Sequence, residues 1–152
     1  MRRNSTDYQA IKGVGLFFIG LVYASVSSMW IWSSPLLGIA FYYIITHIES
    51  KKYYFNIGLI ILYSIFVEID RALIPFSFVL FIFIFHKVLF ESFKKNIYCQ
   101  NCLVPIYIVA GYMGYYLFNL FLSYIFDLQS PIFGINYLYY IITDIILVYI
   151  FL

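Results

Sequence analysis

Eight of the nine lysines and arginines in this chain fall in three short stretches, and the sequence between those stretches is almost entirely apolar. The three basic stretches are Arg2, Arg3 and Lys12; Lys51 and Lys52; and Lys87, Lys94 and Lys95. Arg71 is the one basic residue outside them. Multi-pass membrane proteins keep positive charge in the short loops on the cytoplasmic side. The spacing therefore predicts a chain that crosses a membrane repeatedly and returns its basic loops to one side.

The composition favours the same class of protein. The chain is 64% hydrophobic and 11% charged, whereas a soluble domain carries about 25% charged residues. A soluble chain of 152 residues has no means of burying so much apolar surface, but lipid can solvate the outer faces of helices. The net charge of +2 is too small to indicate nucleic-acid binding. We predict a single integral membrane domain over residues 1–152, in contact with membrane lipid.

Six apolar segments approach the length of about 20 residues that a helix needs to cross a bilayer. They lie at residues 13–32, 35–48, 53–69, 72–90, 103–126 and 137–152. If the N-terminus is cytoplasmic, six crossings return all three basic stretches to the cytoplasm, whereas five would put the first and last stretches on opposite sides. The prediction is an all-α, polytopic membrane bundle of six transmembrane helices with both termini cytoplasmic.

An acidic residue near the middle of the sixth predicted span is the sharpest anomaly in the sequence. Asp144 lies in YYIITDIILVYIF, where a carboxylate costs at least about 2.5–3.5 kcal/mol in lipid. Asn119 lies midway along the fifth span, and an antiparallel neighbour would bring it to a similar depth. The two residues form the candidate intramembrane polar site. Two interpretations stay open. Asp144 is either a proton- or ligand-binding site or a polar contact to a partner helix, or it is a buried carboxyl group whose hydrogen bonds are satisfied by Tyr, Ser or Asn side chains on a neighbouring helix.

A second charged cluster lies at the predicted turn between the third and fourth spans, on the outer face. It contains Glu68, Asp70 and Arg71. Two neighbouring carboxylates can in principle perform acid–base chemistry, but the adjacent arginine and the nearby water favour an ion cluster at the surface. We predict that this turn is a site for an outer-face partner rather than a catalytic pair.

Other motifs that carry chemistry are few. Cys99 and Cys102 have the C-x-x-C spacing of a redox pair, but the predicted topology puts them on the reducing side of the membrane. One such pair also supplies only two of the four ligands of a structural zinc site. Nucleotide-binding and hydrolase motifs are missing from the sequence. We therefore predict a protein without catalytic residues, metal or cofactor, which is not an enzyme.

Four features occur along the chain in an order typical of one known family. They are a Pro-led second span (Ser34-Pro35-Leu-Leu-Gly38), a polar inner turn (Glu49 to Lys52), a Gly-containing third span with an acidic end (Gly58 to Glu68 or Asp70), and a fourth span that exits into basic residues (His86-Lys87 to Lys94-Lys95). With its six short spans and about 150 residues, this layout resembles the rod shape-determining MreD family of bacterial inner-membrane proteins.

The resemblance implies a multi-pass protein of the bacterial inner (cytoplasmic) membrane that acts as a non-catalytic adaptor in the peptidoglycan elongation machinery. It implies a bitopic partner of the MreC type, with the turn from Glu68 to Arg71 on the partner's side of the membrane. The residues alone leave two alternatives open. The first is a small six-span substrate-binding or transport subunit of an uptake system, in which Asp144 and Asn119 would line a polar cavity. The second, less favoured, is a membrane redox enzyme that uses Cys99 and Cys102.

Overall fold

The computed structural model describes residues 5–30, 32–90, 100–128 and 134–151. Within these residues the chain is all-α and forms six α-helices, as the sequence predicts. They are α1 (Ser5–Ser27), α2 (Leu37–His47), α3 (Tyr54–Asp70), α4 (Ser77–Phe85), α5 (Gln100–Phe126) and α6 (Ile135–Phe151). A short 3₁₀ turn, Lys51–Tyr53, precedes α3, and a π-helical turn, His86–Phe90, follows α4.

Only some of the described helices are long enough by themselves to cross a bilayer. Two described segments, Lys51–Asp70 and Leu103–Phe126, are long and apolar enough to cross a bilayer. Four other apolar helices have 10–17 residues. The fourth predicted span, 72–90, is longer than the observed α-helix, which occupies only Ser77–Phe85. Apolar residues continue through the preceding turn, so hydropathy misses the break that Pro75 imposes on the chain.

The short helices α2 and α4 begin in the same way, 40 residues apart in the sequence. Each follows a proline and then a left-handed residue, Pro35 with Leu36 (φ 55°) and Pro75 with Phe76 (φ 67°). Neither N-cap side chain makes a capping hydrogen bond. A non-glycine residue in this region costs about 1–3 kcal/mol and persists only where its surroundings hold it. Contacts elsewhere in the fold must therefore fix both helix starts.

Helix α5 is the element against which both short helices pack. A Cβ atom added to Gly111 would lie 2.9 Å from Phe41 of α2, and one added to Gly114 would lie 2.7 Å from Phe81 of α4. The rings of Phe41 and Phe81 stack with a centroid distance of 5.4 Å. The two glycines therefore let α2 and α4 approach α5 side by side, one turn apart.

Candidate functional site

Asp144 of α6 is fully buried and lies against the first turn of α2. Its Oδ2 accepts hydrogen bonds from the backbone N–H groups of Gly38 (3.1 Å) and Ile39 (3.3 Å). The Tyr112 hydroxyl of α5 donates to the same oxygen at 2.8 Å, and the Ser34 hydroxyl donates to Oδ1. Asp144 thus caps α2 from a different helix.

The need for this cap follows from the way α2 begins. The first N–H groups of a helix have no partner inside the helix, and the side chain of Leu36 at the N-cap cannot accept a hydrogen bond. The positive end of the helix dipole lies at the same place and favours a negative group. The carboxylate of Asp144 supplies the missing acceptor and the compensating charge. Its own burial is offset by four donors.

Glu68 makes the equivalent contact at the start of α4. It lies in the last turn of α3 and is fully buried. Its Oε2 accepts from the backbone N–H of Phe76 at 2.8 Å, and its Oε1 accepts from that of Phe78 at 2.6 Å. The hydroxyls of Ser77 (2.7 Å) and Tyr115 (2.8 Å) donate to Oε1. A second buried carboxylate therefore caps the second short helix.

Asn119 belongs to the Glu68 cluster. Its Nδ2 donates to the Tyr115 carbonyl at 3.0 Å, and its Oδ1 lies 3.3 Å from the oxygen of the Ser77 hydroxyl. The sequence predicts Asn119 as the companion of Asp144, but the hydrogen bonds that Asn119 makes are with the other carboxylate's neighbours. The structure thus distributes the two predicted residues between two clusters.

The three residues predicted at the outer turn also separate. Glu68 is fully buried, so it contributes no exposed surface to a partner site, whereas Asp70 is exposed. Arg71 is half-buried and donates to the Ser33 carbonyl at 3.0 Å and to the Tyr140 hydroxyl at 3.4 Å. Its guanidinium lies 5.5 Å from the centroid of the Tyr140 ring. Arg71 therefore ties the end of α3 to α6 and to the connection before α2.

Sequence reasoning did not find the hydroxyl partners of the two carboxylates. Ser34 directly precedes Pro35, and Ser77 follows Pro75 by two residues. Tyr112 and Tyr115 are three residues apart on one face of α5. Two signals in the sequence could have found them. One signal is that Pro35 and Pro75 each precede a short apolar helix whose N-cap residue has no capping side chain. The other is the spacing of Tyr112 and Tyr115, which puts both hydroxyls on one face of a helix.

The chemistry of both clusters is that of helix capping. Every oxygen of Asp144 and Glu68 already accepts at least one hydrogen bond, and each carboxylate accepts from backbone N–H groups at the start of a short helix. Among the described residues, no group of three or more His, Cys, Asp or Glu side chains could hold a metal ion. Cys99 lies outside the described residues, and so does the side chain of Cys102.

Gly38 offers a direct test of how tightly the Asp144 cluster is packed. A Cβ atom at this position would lie 2.6 Å from Tyr112, 2.8 Å from the Asp144 carboxylate and 2.9 Å from Ile108. We expect Gly38→Ala to lower the free energy of unfolding by about 1–3 kcal/mol, as overpacking typically does. The measurement is reversible unfolding of the purified protein in mixed detergent micelles.

Gly58 of α3 provides the matched control for Gly38. A Cβ atom there would have nothing within 4 Å, and alanine is favoured over glycine inside a helix by about 0.5–1 kcal/mol. Gly58→Ala should therefore leave the protein equally stable or slightly more stable. Equal effects of the two substitutions would contradict a closely packed cluster at the start of α2.

Comparisons of this chain with protein-family models, with curated proteins and with solved structures find no match. The geometry of the two carboxylate clusters and the pattern of exposed apolar surface are therefore the observations on which a function can be argued.

Proposed function

We propose that this protein is embedded in the bacterial inner membrane, crosses it six times and has both termini in the cytoplasm. Large apolar side chains on the outer faces of the bundle support the membrane embedding. Ile19 of α1, Leu117 of α5 and Ile146 of α6 are each more than half exposed. Exposed apolar faces of this extent are unfavourable in water and are solvated by lipid.

The two capped helices explain how short segments complete a crossing. Helix α2 has 11 residues, about 16 Å at the usual rise, whereas the hydrocarbon core is about 30 Å thick. In the proposed topology, the rest of the hydrocarbon thickness is crossed by the non-helical chain before Leu36 and before Phe76. Irregular backbone is tolerated at membrane depth only where protein buries it and satisfies its polar groups. Asp144 and Glu68 do this for the first N–H groups of both helices.

Within the membrane, we propose a non-catalytic adaptor subunit of the MreD type that works in the cell-shape machinery beside a bitopic partner. The observation that carries this proposal is that both buried carboxylates, Asp144 and Glu68, already accept hydrogen bonds from the protein's own helix starts. An acid engaged in this way stabilises a rigid bundle. A rigid bundle with apolar faces is suited to holding other membrane proteins in position.

The same observation counts against the uptake alternative. In many transporters, helix N-termini that begin inside the membrane point at the anionic group of the substrate. Here the corresponding N-termini, at Gly38 and Phe76, are occupied by Asp144 and Glu68. A substrate anion would have to displace a carboxylate of the protein itself.

Depletion of the protein in its native host tests the proposed role. We expect rod-shaped cells to become round, and we expect the affinity-tagged protein to co-purify with a bitopic membrane protein. Asp70→Ala, at an exposed position of the outer turn, should reduce that co-purification without reducing the amount of folded protein. Depleted cells that keep their shape but lose uptake of a solute would overturn the adaptor proposal in favour of transport.

A further inference from the structure

A cavity of about 310 Å³ lies between α1, α2 and α3. Each of the three helices lines it with about two turns, residues 13–20, 36–43 and 56–63. At about 1.5 Å per residue, these stretches are about 10 Å long. Two contacts show that α1 and α3 run side by side along it: a Cβ atom on Gly13 would meet Asn56, and one on Gly20 would meet the Tyr63 ring. The cavity is therefore a slot parallel to the helices.

Each end of this slot has a tyrosine hydroxyl that forms a hydrogen bond within the protein. At one end the Asn56 amide donates to the Tyr43 hydroxyl at 3.4 Å. At the other end the Tyr63 ring lies 3.4 Å from where a Gly20 Cβ atom would be, and the Tyr63 hydroxyl donates to the Pro35 carbonyl. The polar groups in the wall thus bond to the protein itself, and the space between them is bounded by apolar side chains.

Lys52 is connected to the end that contains Tyr43 through the aromatic ring of Tyr53. The Tyr43 and Tyr53 rings are in edge contact with a centroid distance of 6.4 Å, and the Lys52 ammonium lies 5.8 Å from the centroid of the Tyr53 ring. Lys51 and Lys52 are both exposed. In the proposed topology these lysines lie at the cytoplasmic surface of the membrane. In this proposal the end that contains Tyr43 is the entrance of the slot, and the two exposed lysines lie near it at headgroup level.

We propose that this slot binds the part of one acyl chain nearest the headgroup of an anionic phospholipid from the cytoplasmic leaflet, with the lipid phosphate beside Lys51 and Lys52. The narrow shape suits part of a single extended hydrocarbon chain, and the volume is at the lower end of the range of about 300–1,000 Å³ for ligand sites. The entrance suits a negative headgroup, because lysines near an anionic lipid surface attract it. The site rests on the membrane embedding proposed above and is independent of the adaptor role.

The test uses the full-length protein in detergent with dioleoyl phosphatidylglycerol that carries a photoactivatable diazirine on one acyl chain. We expect crosslinks at residues that line the slot, such as Leu16 and Leu59. Leu16→Trp, which places an indole in the slot from an exposed position, should reduce the crosslink yield roughly tenfold. Val22→Trp, on an exposed part of α1 outside the slot, is the matched control and should label normally.

The headgroup preference is tested with the same lipid chain on phosphatidylcholine. The single substitutions Lys51→Ala and Lys52→Ala should each weaken labelling by phosphatidylglycerol about fivefold. Neither should change the weaker labelling by phosphatidylcholine. Equal labelling by the two lipids, or equal labelling of Leu16→Trp and wild type, would overturn the proposal. If alkaline carbonate extracts the protein from membranes, the membrane embedding is refuted. If the protein stays in the membrane but residues of the slot are not labelled, the lipid site alone is refuted.

Discussion

Replacing Asp144 with alanine is expected to lower the free energy of unfolding by about 3–4 kcal/mol. The substitution leaves two backbone N–H groups of α2 and the hydroxyls of Ser34 and Tyr112 without their acceptor. Each buried donor without an acceptor costs about 1–3 kcal/mol, and these four are too close together for their costs to add. Titration with a denaturing detergent, followed by the loss of helical circular dichroism, measures the difference.

Two further variants define what the Asp144 carboxylate contributes. Asp144→Asn keeps one acceptor oxygen and should cost about 1–3 kcal/mol. Thr143→Ala is the control at the neighbouring position, because the Thr143 hydroxyl donates to carbonyls of its own helix, at Tyr139 and Tyr140, and to no other group in the described part of the chain. Its effect should stay within about 0.5 kcal/mol. If Asp144→Ala were as stable as Thr143→Ala, the capping role would be refuted. Lost uptake by a fully stable Asp144→Asn protein would support the transport alternative.

The sequence predicts the number of helices well because that number depends on hydropathy and on the spacing of charge. The burial of Asp144 is foreseeable for the same reason, since an acid in an apolar span must face the interior. Its partners are not foreseeable, because they depend on where α2 begins. Pro35 and the left-handed Leu36 set that point, and no pattern of apolar residues marks it. The sequence instead predicts Asn119 as the partner of Asp144, because the two residues lie at similar depth in neighbouring predicted spans.

Glu68 shows a different limit of sequence reasoning. Asp70 and Arg71, which follow it closely in the sequence, are charged. The local sequence from Glu68 to Arg71 therefore predicts an exposed turn. Helix α3 continues through Asp70, so side chains in this stretch point in different directions around the helix axis. Glu68 shares its face with the buried residues Ser64 and Val67. The helical period, rather than local charge, separates the structural carboxylate from the exposed one.

Replacing Glu68 with alanine should lower the free energy of unfolding by about 3–4 kcal/mol, as for Asp144. Two backbone N–H groups at the start of α4 and the hydroxyls of Ser77 and Tyr115 lose their acceptor, at about 1–3 kcal/mol for each isolated loss. Because Glu68 is withdrawn from the surface, we expect any effect of this substitution on partner binding to follow the loss of folded protein. The same detergent titration, combined with co-purification of the partner, checks both points.

Asp70→Ala is the matched control for Glu68→Ala, since it removes a carboxylate two residues away from an exposed position. It should change stability by no more than about 0.5 kcal/mol, so any loss of co-purification would report on the docking surface itself. The two variants thus distinguish the stabilising role of the Glu68 carboxylate from the proposed partner-binding role of the Asp70 carboxylate. Equal stability of Glu68→Ala and Asp70→Ala would mean that α4 does not depend on Glu68 for its cap. The contact of Glu68 with Phe76 and Phe78 would then be a consequence of helix packing rather than its cause.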